Sequence, residues 1–505
     1  MKKIIIGILS LAIGYSCTNL EEDLNDAVAS TSGGVSSTDL LSGAYSALRE
    51  LQHEQDLLPA YVHSSDELIP PTRGADWDDA GAWRSHHFQT WTNAHPHIAK
   101  LWRDLNSRSF AAQLVLCNGA ATSQQAAEAT FLRVFTDYLI LDLWGKVPRR
   151  ECGEDLLLSP TGLLLRADGI NTLISELEAV VNDLPSGVNP IVANQNAARA
   201  LLAKMYLNKA VYEATSEDGG AMSGPFTFSS ADMNKVIENV NAITGRSLAA
   251  NYFDSFIPNN TNSSPELLFV SENIQGGAVG RVLSRWHMSM HYNQNPSGWN
   301  GFVSTVELYN LFEPGDLRFH QTLPEITDNG GGYNAGFLIG LQNDVNGDPI
   351  KDRQGNNLVY TQDVNIFNST EEKGIRVVKY IPDYVNDNNP NNDYVFLRYA
   401  DARLMKAEAI MRGGSDSESA LDIVNEIRTL RNASELTALT EQDLIDERGR
   451  ELYWEGWRRQ DQIRFNTFLG TWQEKPDASS EKALLMPIPA EAISADPNLP
   501  QNPGY

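Results

Sequence analysis

Apolar residues recur at three- and four-residue spacing in several segments of the chain. This spacing places apolar side chains on one face of a helix, so each segment is predicted to be an amphipathic helix. The segments pair along the chain as residues 38–51 with 94–117, 124–145 with 170–184, 193–214 with 231–243, and 399–412 with 417–430. The sequence therefore predicts a mainly α protein built from four helix pairs.

Small residues mark the faces on which these helices must approach each other closely. Alanines recur in the third and fourth pairs, at Ala197, Ala198, Ala203, Ala210, Ala402, Ala407 and Ala409. One hairpin of two helices cannot bury its apolar face alone, so neighbouring hairpins are expected to stack as in tetratricopeptide-like repeats. No strict repeat period is visible, because a long segment separates the third pair from the fourth.

Two long segments between the helices are predicted to be irregular insertions. Residues 61–94 are loop-rich, and residues 251–397 hold short extended runs, ELLFV and RVVKYI, among Gly, Asn, Asp and Pro turns. No low-complexity linker divides the chain, so we predict a single domain over residues 38–505. Its predicted parts are helix pairs at about 38–250 and 398–432, the insertion at 251–397, and a C-terminal region at 433–505. Long loops on a rigid frame are usually functional, which makes the insertions the expected binding surface.

The N-terminus has the pattern of an export signal. Lys2 and Lys3 precede an apolar run of about ten residues, roughly half of what a membrane-spanning helix needs. The small residue Ser16 stands directly before Cys17, as at a cleavage site. We therefore predict a signal peptide at residues 1–16.

The segment ending at Cys17 resembles a bacterial lipobox, in which the thiol is acylated and becomes the new N-terminus. Gly14 and Tyr15 depart from the usual pattern, and an ordinary signal peptide with an incidental cysteine is the alternative. Acyl chains bury methylene groups at roughly 0.8 kcal/mol each, which anchors a protein without a transmembrane helix. Residues 17–37 would then be a lipidated acidic tether. Its acidic patch, Glu21, Glu22 and Asp23, resembles the surface-export signal of Bacteroidetes lipoproteins, or else simply keeps the tether solvated.

Net charge and cysteine content exclude nucleic-acid-binding proteins and cysteine-based frameworks or metal sites. The formal net charge is −26 at pH 7, with 65 acidic against 39 basic side chains and no basic cluster. Nucleic acid requires clustered Lys and Arg, so we expect no nucleic-acid binding. Cys117 and Cys152 are the only cysteines beyond the export signal, and two are too few for a disulfide framework or a metal site.

Two clusters of aromatic and polar residues fall in the predicted insertions. Sugar rings present apolar faces and a rim of hydroxyl groups, so a sugar-binding site needs flat aromatic side chains beside planar polar groups. The candidate ligand-binding residues are Asp66, Arg73, Trp77, Trp83, Tyr292, Trp299 and Asn300, with Trp299 the best single candidate. The alternative for each tryptophan is that it fixes its loop to the helices. Trp91 and Trp102 lie nearer to helices and are expected in the core.

Enzymatic chemistry has weaker support. Acid pairs that could hydrolyse a glycoside are drawn from Asp66, Glu67, Asp76, Asp78, Asp79, Glu447 and Glu451. A chain with this many acids contains such pairs by chance. Glu447 and Glu451 also lie among opposite charges at helical spacing, which favours ion pairs on a packed helix that holds the C-terminal region against the repeats. We expect neither catalysis nor a cofactor.

Metal motifs are incomplete. His86 with His87, and His95 with His97, lack the four-residue helical spacing of a zinc HExxH motif, so a structural or ligand-facing role is expected. Residues 343–352, NDVNGDPIKD, superficially resemble a calcium loop. Gln342 and Arg353 would then occupy the first and twelfth positions, where an EF-hand needs Asp and a bidentate Glu. We therefore expect no metal.

Four stretches resemble the SusD/RagB family of Bacteroidetes outer-membrane lipoproteins. They are FLRVFTDYLILDLWGKVP, FLRYADARLMKAEAIMRGG, ERGRELYWEGWRRQDQIRF and the ending LLMPIPAEAISADPNLPQNPGY. They occur in the family's order, and the resemblance extends over nearly the whole chain, from Cys17 to Tyr505.

The resemblance implies a cell-surface lipoprotein, lipid-anchored on the extracellular side of the outer membrane. It implies capture of an oligosaccharide or polysaccharide without catalysis, and a position as a lid over a SusC-like TonB-dependent transporter. Four tetratricopeptide-like helix pairs would carry ligand-binding loops, so the two aromatic clusters would have to meet in space. A peptide ligand is the main alternative, because related family members are thought to take peptides.

Overall fold

The predicted repeat helices form close to their expected bounds. The computed structural model describes residues 34–505 except Gly276 and Ala278, so the signal peptide, Cys17 and the acidic patch lie outside the described residues. The helices are α1 (Ser37–Ala47), α2 (Ala82–His87), α3 (Pro96–Leu116), α4 (Ser123–Trp144), α5 (Arg166–Val180), α6 (Gln195–Glu213), α7 (Ser230–Asn241), α8 (Asn260–Ser263), α9 (Ser284–His287), α10 (Val306–Tyr309), α11 (Pro324–Thr327), α12 (Tyr399–Met411), α13 (Ala420–Leu430), α14 (Glu441–Leu452), α15 (Arg458–Arg464) and α16 (Ala490–Ala495). Within this described part, no helix is both long and apolar enough to cross a membrane. The predicted mainly α fold is confirmed.

Each predicted helix pair packs together, and the pairs stack. Within pairs, α1 contacts α3, α4 contacts α5, α6 contacts α7, and α12 contacts α13. Between successive pairs, α3 contacts α4, α5 contacts α6, and α7 contacts α12. Ala197, Ala198 and Ala203 are fully buried on α6, where small side chains allow close approach. The second insertion therefore leaves the stack unbroken, because α12 returns to α7 after it.

Local sequence sets the helix ends. Thr122 and Gln125 form a capping box at the start of α4. The side chains of Asn194 and Ser229 accept hydrogen bonds from backbone N–H groups in the first turns of α6 and α7. Gly145 ends α4 with a φ of +68°, a left-handed conformation that glycine adopts without steric cost. These polar and glycine positions explain why helix bounds are readable from the sequence.

Short antiparallel strands organise the insertions. They are β1 (Leu68–Ile69), β2 (Lys146–Arg149), β3 (Gly162–Leu165), β4 (Leu267–Ser271), β5 (Val303–Ser304), β6 (His320–Gln321), β7 (Ala335–Leu338), β8 (Gly340–Leu341), β9 (Val359–Tyr360), β10 (Arg376–Val378) and β11 (Tyr394–Arg398). The pairings are β1–β5, β2–β3, β4–β11, β8–β9 and the three-stranded order β10–β7–β6. Pairing of β4 with β11 closes the base of the second insertion, since β11 runs directly into α12. Pairing of β1 with β5 joins the first insertion to the second, with Leu68 opposite Ser304.

A network of fully buried ion pairs joins the C-terminal region to the rest of this unit, which spans Ser37–Tyr505. The Glu451 carboxylate on α14 accepts from Arg318 at 3.0 Å, from Arg398 at 2.8 Å and from Arg431 at 3.0 Å. Arg318 lies in the second insertion, Arg398 ends β11, and Arg431 follows α13. Burial alone would raise the pKa of Glu451, but the three guanidinium groups hold this pKa well below its usual range. One carboxylate therefore connects three separate parts of the chain.

The structural role expected for Glu447 and Glu451 is confirmed. Glu447 pairs with Arg450 within its own helix at 3.2 Å, but the other partners of the two carboxylates come from elsewhere in the chain. Glu447 is also fully buried and pairs with Arg318 at 2.6 Å. Arg448, three positions before Glu451, instead pairs with Asp401 of α12 at 2.9 Å and with Asp461 of α15 at 2.8 Å. Spacing within one helix does not show which neighbouring element will supply a closer partner.

Cys117 and Cys152 form a single disulfide, a bond that was not predicted from the sequence. Their Cα atoms are 5.3 Å apart. Cys117 follows α3, and Cys152 lies in the loop between β2 and β3. That loop returns to the end of α3, a juxtaposition that a sequence separation of 35 residues does not reveal.

Replacing Glu451 by Gln removes the shared negative charge while preserving the shape of the side chain. Three buried arginines would each lose a partner, and breaking a buried ion pair costs about 3–5 kcal/mol. We therefore expect the midpoint of urea unfolding, followed by tryptophan fluorescence, to fall sharply. Glu441→Gln, at the exposed start of the same helix, is the matched control and should leave the midpoint almost unchanged. Equal midpoints for the two variants would contradict the stabilising role of Glu451.

Candidate functional site

The two aromatic clusters indicated by the sequence meet in the structure. The strand pair β1–β5 joins residues 68–69 of the first insertion to residues 303–304 of the second. The indole N–H of Trp77 donates to the backbone carbonyl of Trp299 at 3.3 Å. A Cβ atom on Gly301 would lie only 2.7 Å from the Trp77 ring, so glycine is needed for this close approach.

Trp77, Tyr292 and Trp299 form a partly exposed surface, here called the aromatic strip. The Trp77 and Trp299 ring centroids are 6.5 Å apart with planes inclined by 35°. The hydroxyl of Tyr292 donates to Asp76 Oδ2 at 3.3 Å, and Asp76 directly precedes Trp77. Each ring is half-buried, so it combines a fixed position with an accessible portion. The strip therefore draws one residue from the first insertion and two from the second.

Arginine side chains lie over two rings of the aromatic strip. The Arg281 guanidinium lies 5.7 Å from the Trp299 ring centroid, and the Arg353 guanidinium lies 4.3 Å from that of Tyr292. Both arginines are already ion-paired, Arg281 with Glu54 at 3.0 Å and Arg353 with Glu371. The flanking charges are therefore largely compensated.

A network of hydrogen bonds fixes the loop that carries Tyr292 and Trp299. The backbone N–H of Trp299 donates to the His287 carbonyl at 2.5 Å, and that of Gly298 donates to the His291 carbonyl at 3.0 Å. The His287 ring stacks beneath Trp299 with centroids 5.2 Å apart and planes inclined by 15°. Asp387 contacts His287 Nε2 at 3.0 Å. Burial alone would raise the pKa of Asp387, but its hydrogen bond with His287 contributes to lowering it. The loop is thus held in place without a ligand.

Two of the other predicted site residues are buried close to the strip. Trp83 is 2% exposed and lies 5.8 Å from Trp77, ring centroid to ring centroid. Asn300 is fully buried, and its side-chain oxygen accepts from Arg376 at 2.7 Å. The structure therefore corrects the expectation that these two side chains face a ligand, because neither reaches the surface. As expected, Trp91 and Trp102 also lie in the core.

Arg73 and Asp66 are also engaged within the protein. The Arg73 guanidinium is buried and donates to the backbone carbonyls of Gly301 at 3.2 Å and Lys373 at 2.8 Å. Asp66 forms a two-point ion pair with Arg458 of α15, with both distances 2.8 Å. Both side chains hold the insertions in place, so they position the strip instead of extending it.

The carboxylates considered for hydrolysis have protein partners as well. Asp78 pairs with Arg84 at 2.6 Å, and Asp79 accepts from the indole N–H of Trp83. Glu67 is fully buried beside Asp66, and burial raises its pKa to about 8. Glu67 also accepts from the backbone N–H of Trp454 at 3.0 Å. Each of these acids therefore has a role in holding the loops.

The histidines separate into two environments. His87 is buried with its ring nitrogens 3.0 Å from the backbone carbonyls of Leu68 and Gln473. His86, His95 and His97 instead come together in the core, although their spacing in the sequence gave no recognised motif. Burial lowers the pKa of all three, that of His97 to about 3.

The residues 343–352 form an ordinary turn. The Asp344 carboxylate accepts from the backbone N–H groups of Asn346 at 2.8 Å and Asp348 at 3.0 Å. Among the described residues, the groups with metal-ligand spacing are the three histidines and the set Glu50, Asp56 and Asp104. The Lys100 ammonium contacts all three of those acids.

Several residues around the strip were missed from the sequence. Arg281, His287 and Arg353 contact its rings, but none belongs to a recognisable motif. His287 was within reach of sequence reasoning, because it lies in the same Trp-rich run as Trp299. Only the fold shows that this run turns back so that the imidazole lies under the indole.

Comparison with known proteins shows to which family the chain belongs. The model of the SusD family matches residues 237–505, more than half of the chain, and the chain belongs to this family. The starch-binding protein SusD of Bacteroides thetaiotaomicron is 27% identical over 434 residues, which cover 76% of this chain and 74% of that protein. The family interpretation is therefore confirmed.

Solved structures show the same fold. A SusD superfamily protein from Parabacteroides distasonis superposes with a TM-score of 0.67 at 17% identity, covering 93% of this chain and all of that one. Surface glycan-binding protein A from Bacteroides thetaiotaomicron in complex with laminarihexaose gives a TM-score of 0.64 at 17% identity. That match covers 92% of this chain and 98% of the other.

Proposed function

We propose that this protein captures an oligosaccharide on the aromatic strip. The observation that carries this proposal is the meeting of Trp77, Tyr292 and Trp299 from two distant loops on one surface. Partly exposed rings stack on the apolar faces of sugars, and a surrounding polar rim pairs with the hydroxyl groups. The starch-binding relative and the laminarihexaose-bound structural neighbour support glycan as the ligand class.

The loop between Tyr292 and Trp299 provides a polar rim suited to hydroxyl groups. Asn293 and Asn295 are exposed there. Their amide N–H groups donate to the backbone carbonyls of Lys351 at 2.8 Å and Asn329 at 3.2 Å. In the described part of the chain, no residue donates to their amide oxygens, which can accept from sugar hydroxyl groups. Because the flanking arginines are ion-paired and the net charge is −26, an uncharged glycan suits this surface best.

Capture without hydrolysis follows from the same proposal. The nearby acids are engaged with protein donors, whereas glycoside hydrolysis needs two carboxyl groups on either side of the bond that breaks. A captured glycan would pass to a SusC-like TonB-dependent transporter in the outer membrane. The stacked helix pairs offer the extended surface that such a docking partner requires.

A peptide ligand is the second candidate. Half-buried aromatic rings beside asparagine side chains also bind extended peptides, whose backbone amides need donors and acceptors. The binding experiment therefore includes both glycans and peptides.

Trp299→Ala is expected to weaken oligosaccharide binding at least tenfold, or about 1.4 kcal/mol, because it removes a stacking surface. Isothermal titration calorimetry measures this effect. The purified chain is titrated with starch-derived oligosaccharides, with laminarin-derived oligosaccharides and with peptides. The matched control is Phe228→Ala. Phe228 is another half-buried aromatic side chain covered by an arginine, Arg412, at 4.0 Å from its centroid.

Unchanged affinity in Trp299→Ala, or equal losses in both variants, would contradict the proposed site. If the protein binds a peptide and no glycan, the ligand is a peptide and the proposed ligand class is wrong. Melting temperatures of both variants, measured in parallel, separate lost binding from lost folding.

We further propose that Cys17 anchors the protein to the outer membrane, facing the outside of the cell. Cys17→Ser removes the thiol that would carry the acyl chains, so the variant is expected in the soluble fraction after cell fractionation. Ser16→Ala keeps the thiol and a small residue before it, and should remain with the membranes. Membrane retention of Cys17→Ser would argue against the lipid anchor.

A further inference from the structure

We propose that His86, His95 and His97 form a binding site for a transition-metal ion of the zinc type. One ring nitrogen from each histidine lies within 4.8 Å of the corresponding atoms of the other two. The ring centroids are 4.5 Å apart for His86 and His95, 5.6 Å for His86 and His97, and 5.4 Å for His95 and His97. This site is separate from the aromatic strip and does not depend on glycan capture.

Unpaired nitrogen atoms point to a missing ligand. His86 is 1% exposed, yet neither of its ring nitrogens has a hydrogen-bond partner among the described residues. Nδ1 of His97 is also buried, and it too has no hydrogen-bond partner within residues 34–505 as described. Buried polar atoms are nearly always paired in folded proteins, so an orphaned imidazole facing two others requires an explanation. A metal ion would accept a lone pair from each ring.

The turn between α2 and α3 brings the three rings together. His86 lies in the last turn of α2, His95 is the residue before α3, and His97 lies in the first turn of α3. Between the two helices, Gln89 has a φ of +55° and turns the chain back. This tight turn brings His86 close to His95 although nine positions separate them in the sequence. The cluster therefore lacks the spacing of a standard metal motif.

His95 is the member whose nitrogens already have protein partners. Its Nε2 lies 3.0 Å from the Ala82 carbonyl and 2.8 Å from Ser85 Oγ. Its Nδ1 accepts from the backbone N–H of Ile98 at 3.4 Å, which is a long hydrogen bond. Metal-bound histidines commonly donate their second ring N–H to a carbonyl group, as Nε2 of His95 does here. Metal binding through Nδ1 would replace only the weaker contact.

The donor set selects the class of metal. Three imidazoles without a carboxylate or thiolate favour zinc, copper, nickel or cobalt, whereas calcium and magnesium require oxygen ligands. Trp83 lies against His97 with centroids 4.3 Å apart, and Trp91 lies 5.9 Å from His86. Trp83 also contacts Trp77 of the aromatic strip. A bound ion would therefore brace α2 against α3 directly behind the strip.

The test uses the purified chain without an affinity tag, with Zn²⁺ measured by elemental analysis after dialysis and Co²⁺ binding followed by visible absorption. Wild-type protein is expected to retain about one ion per chain and to lose thermal stability when a chelator removes it. His86→Gln should bind the ion at least tenfold more weakly and should not respond to chelator. His87→Gln is the matched control, because His87 is adjacent and equally buried but bonded to two carbonyl groups.

X-ray absorption of the zinc-loaded wild-type protein keeps the proposal testable if His86→Gln does not fold. Three imidazole ligands are the expected result. Sub-stoichiometric binding, a purely oxygen coordination shell, or equal affinities in wild type and His86→Gln would each overturn the proposal. Loss of binding in His87→Gln with retention in His86→Gln would also overturn it.

Discussion

The structure depends on a group of charges that are buried far from water. Taking a carboxylate or a guanidinium out of water is costly, and the mutual attraction of a pair compensates only when geometry and hydrogen bonding are nearly complete. Here Glu451 meets three arginines, and two of these, Arg398 and Arg431, also reach Glu266 at 2.9 and 2.8 Å. The arrangement is satisfied only when the second insertion, the fourth helix pair and the C-terminal region are all in place. Folding of the C-terminal region is thereby coupled to the positions of the loops.

That coupling matters for the candidate site, because the aromatic strip is assembled from parts that are distant in sequence. The first insertion supplies Trp77, and the second insertion supplies Tyr292 and Trp299. The pairings β1–β5 and β4–β11 hold the insertions together. Arg458 of α15 also holds the first insertion in place, through its ion pair with Asp66. The buried polar groups thus convert a stack of helices into a rigid support for exposed rings.

The helical frame was predictable because its determinants are local. The stretch from Thr122 to Gly145 carries its apolar residues, its capping residues and its terminating glycine within its own sequence. The candidate site was predictable only in part. The same loop composition that pointed to Trp77 and Trp299 also pointed to Trp83 and Asn300, and burial of the latter pair is decided by tertiary contacts with Phe302 and Arg376. The disulfide and the histidine cluster were missed for the same reason, since both arise where the chain folds back on itself.

The central claim is that buried charges hold a preformed aromatic surface ready for its ligand. Crystal structures of the protein with and without a bound oligosaccharide test this most directly. The account predicts sugar rings against Trp77, Tyr292 and Trp299, with the backbone of residues 73–79 and 287–302 in the same position in both states. A ligand bound elsewhere, or a strip that forms only after these loops rearrange, would contradict it.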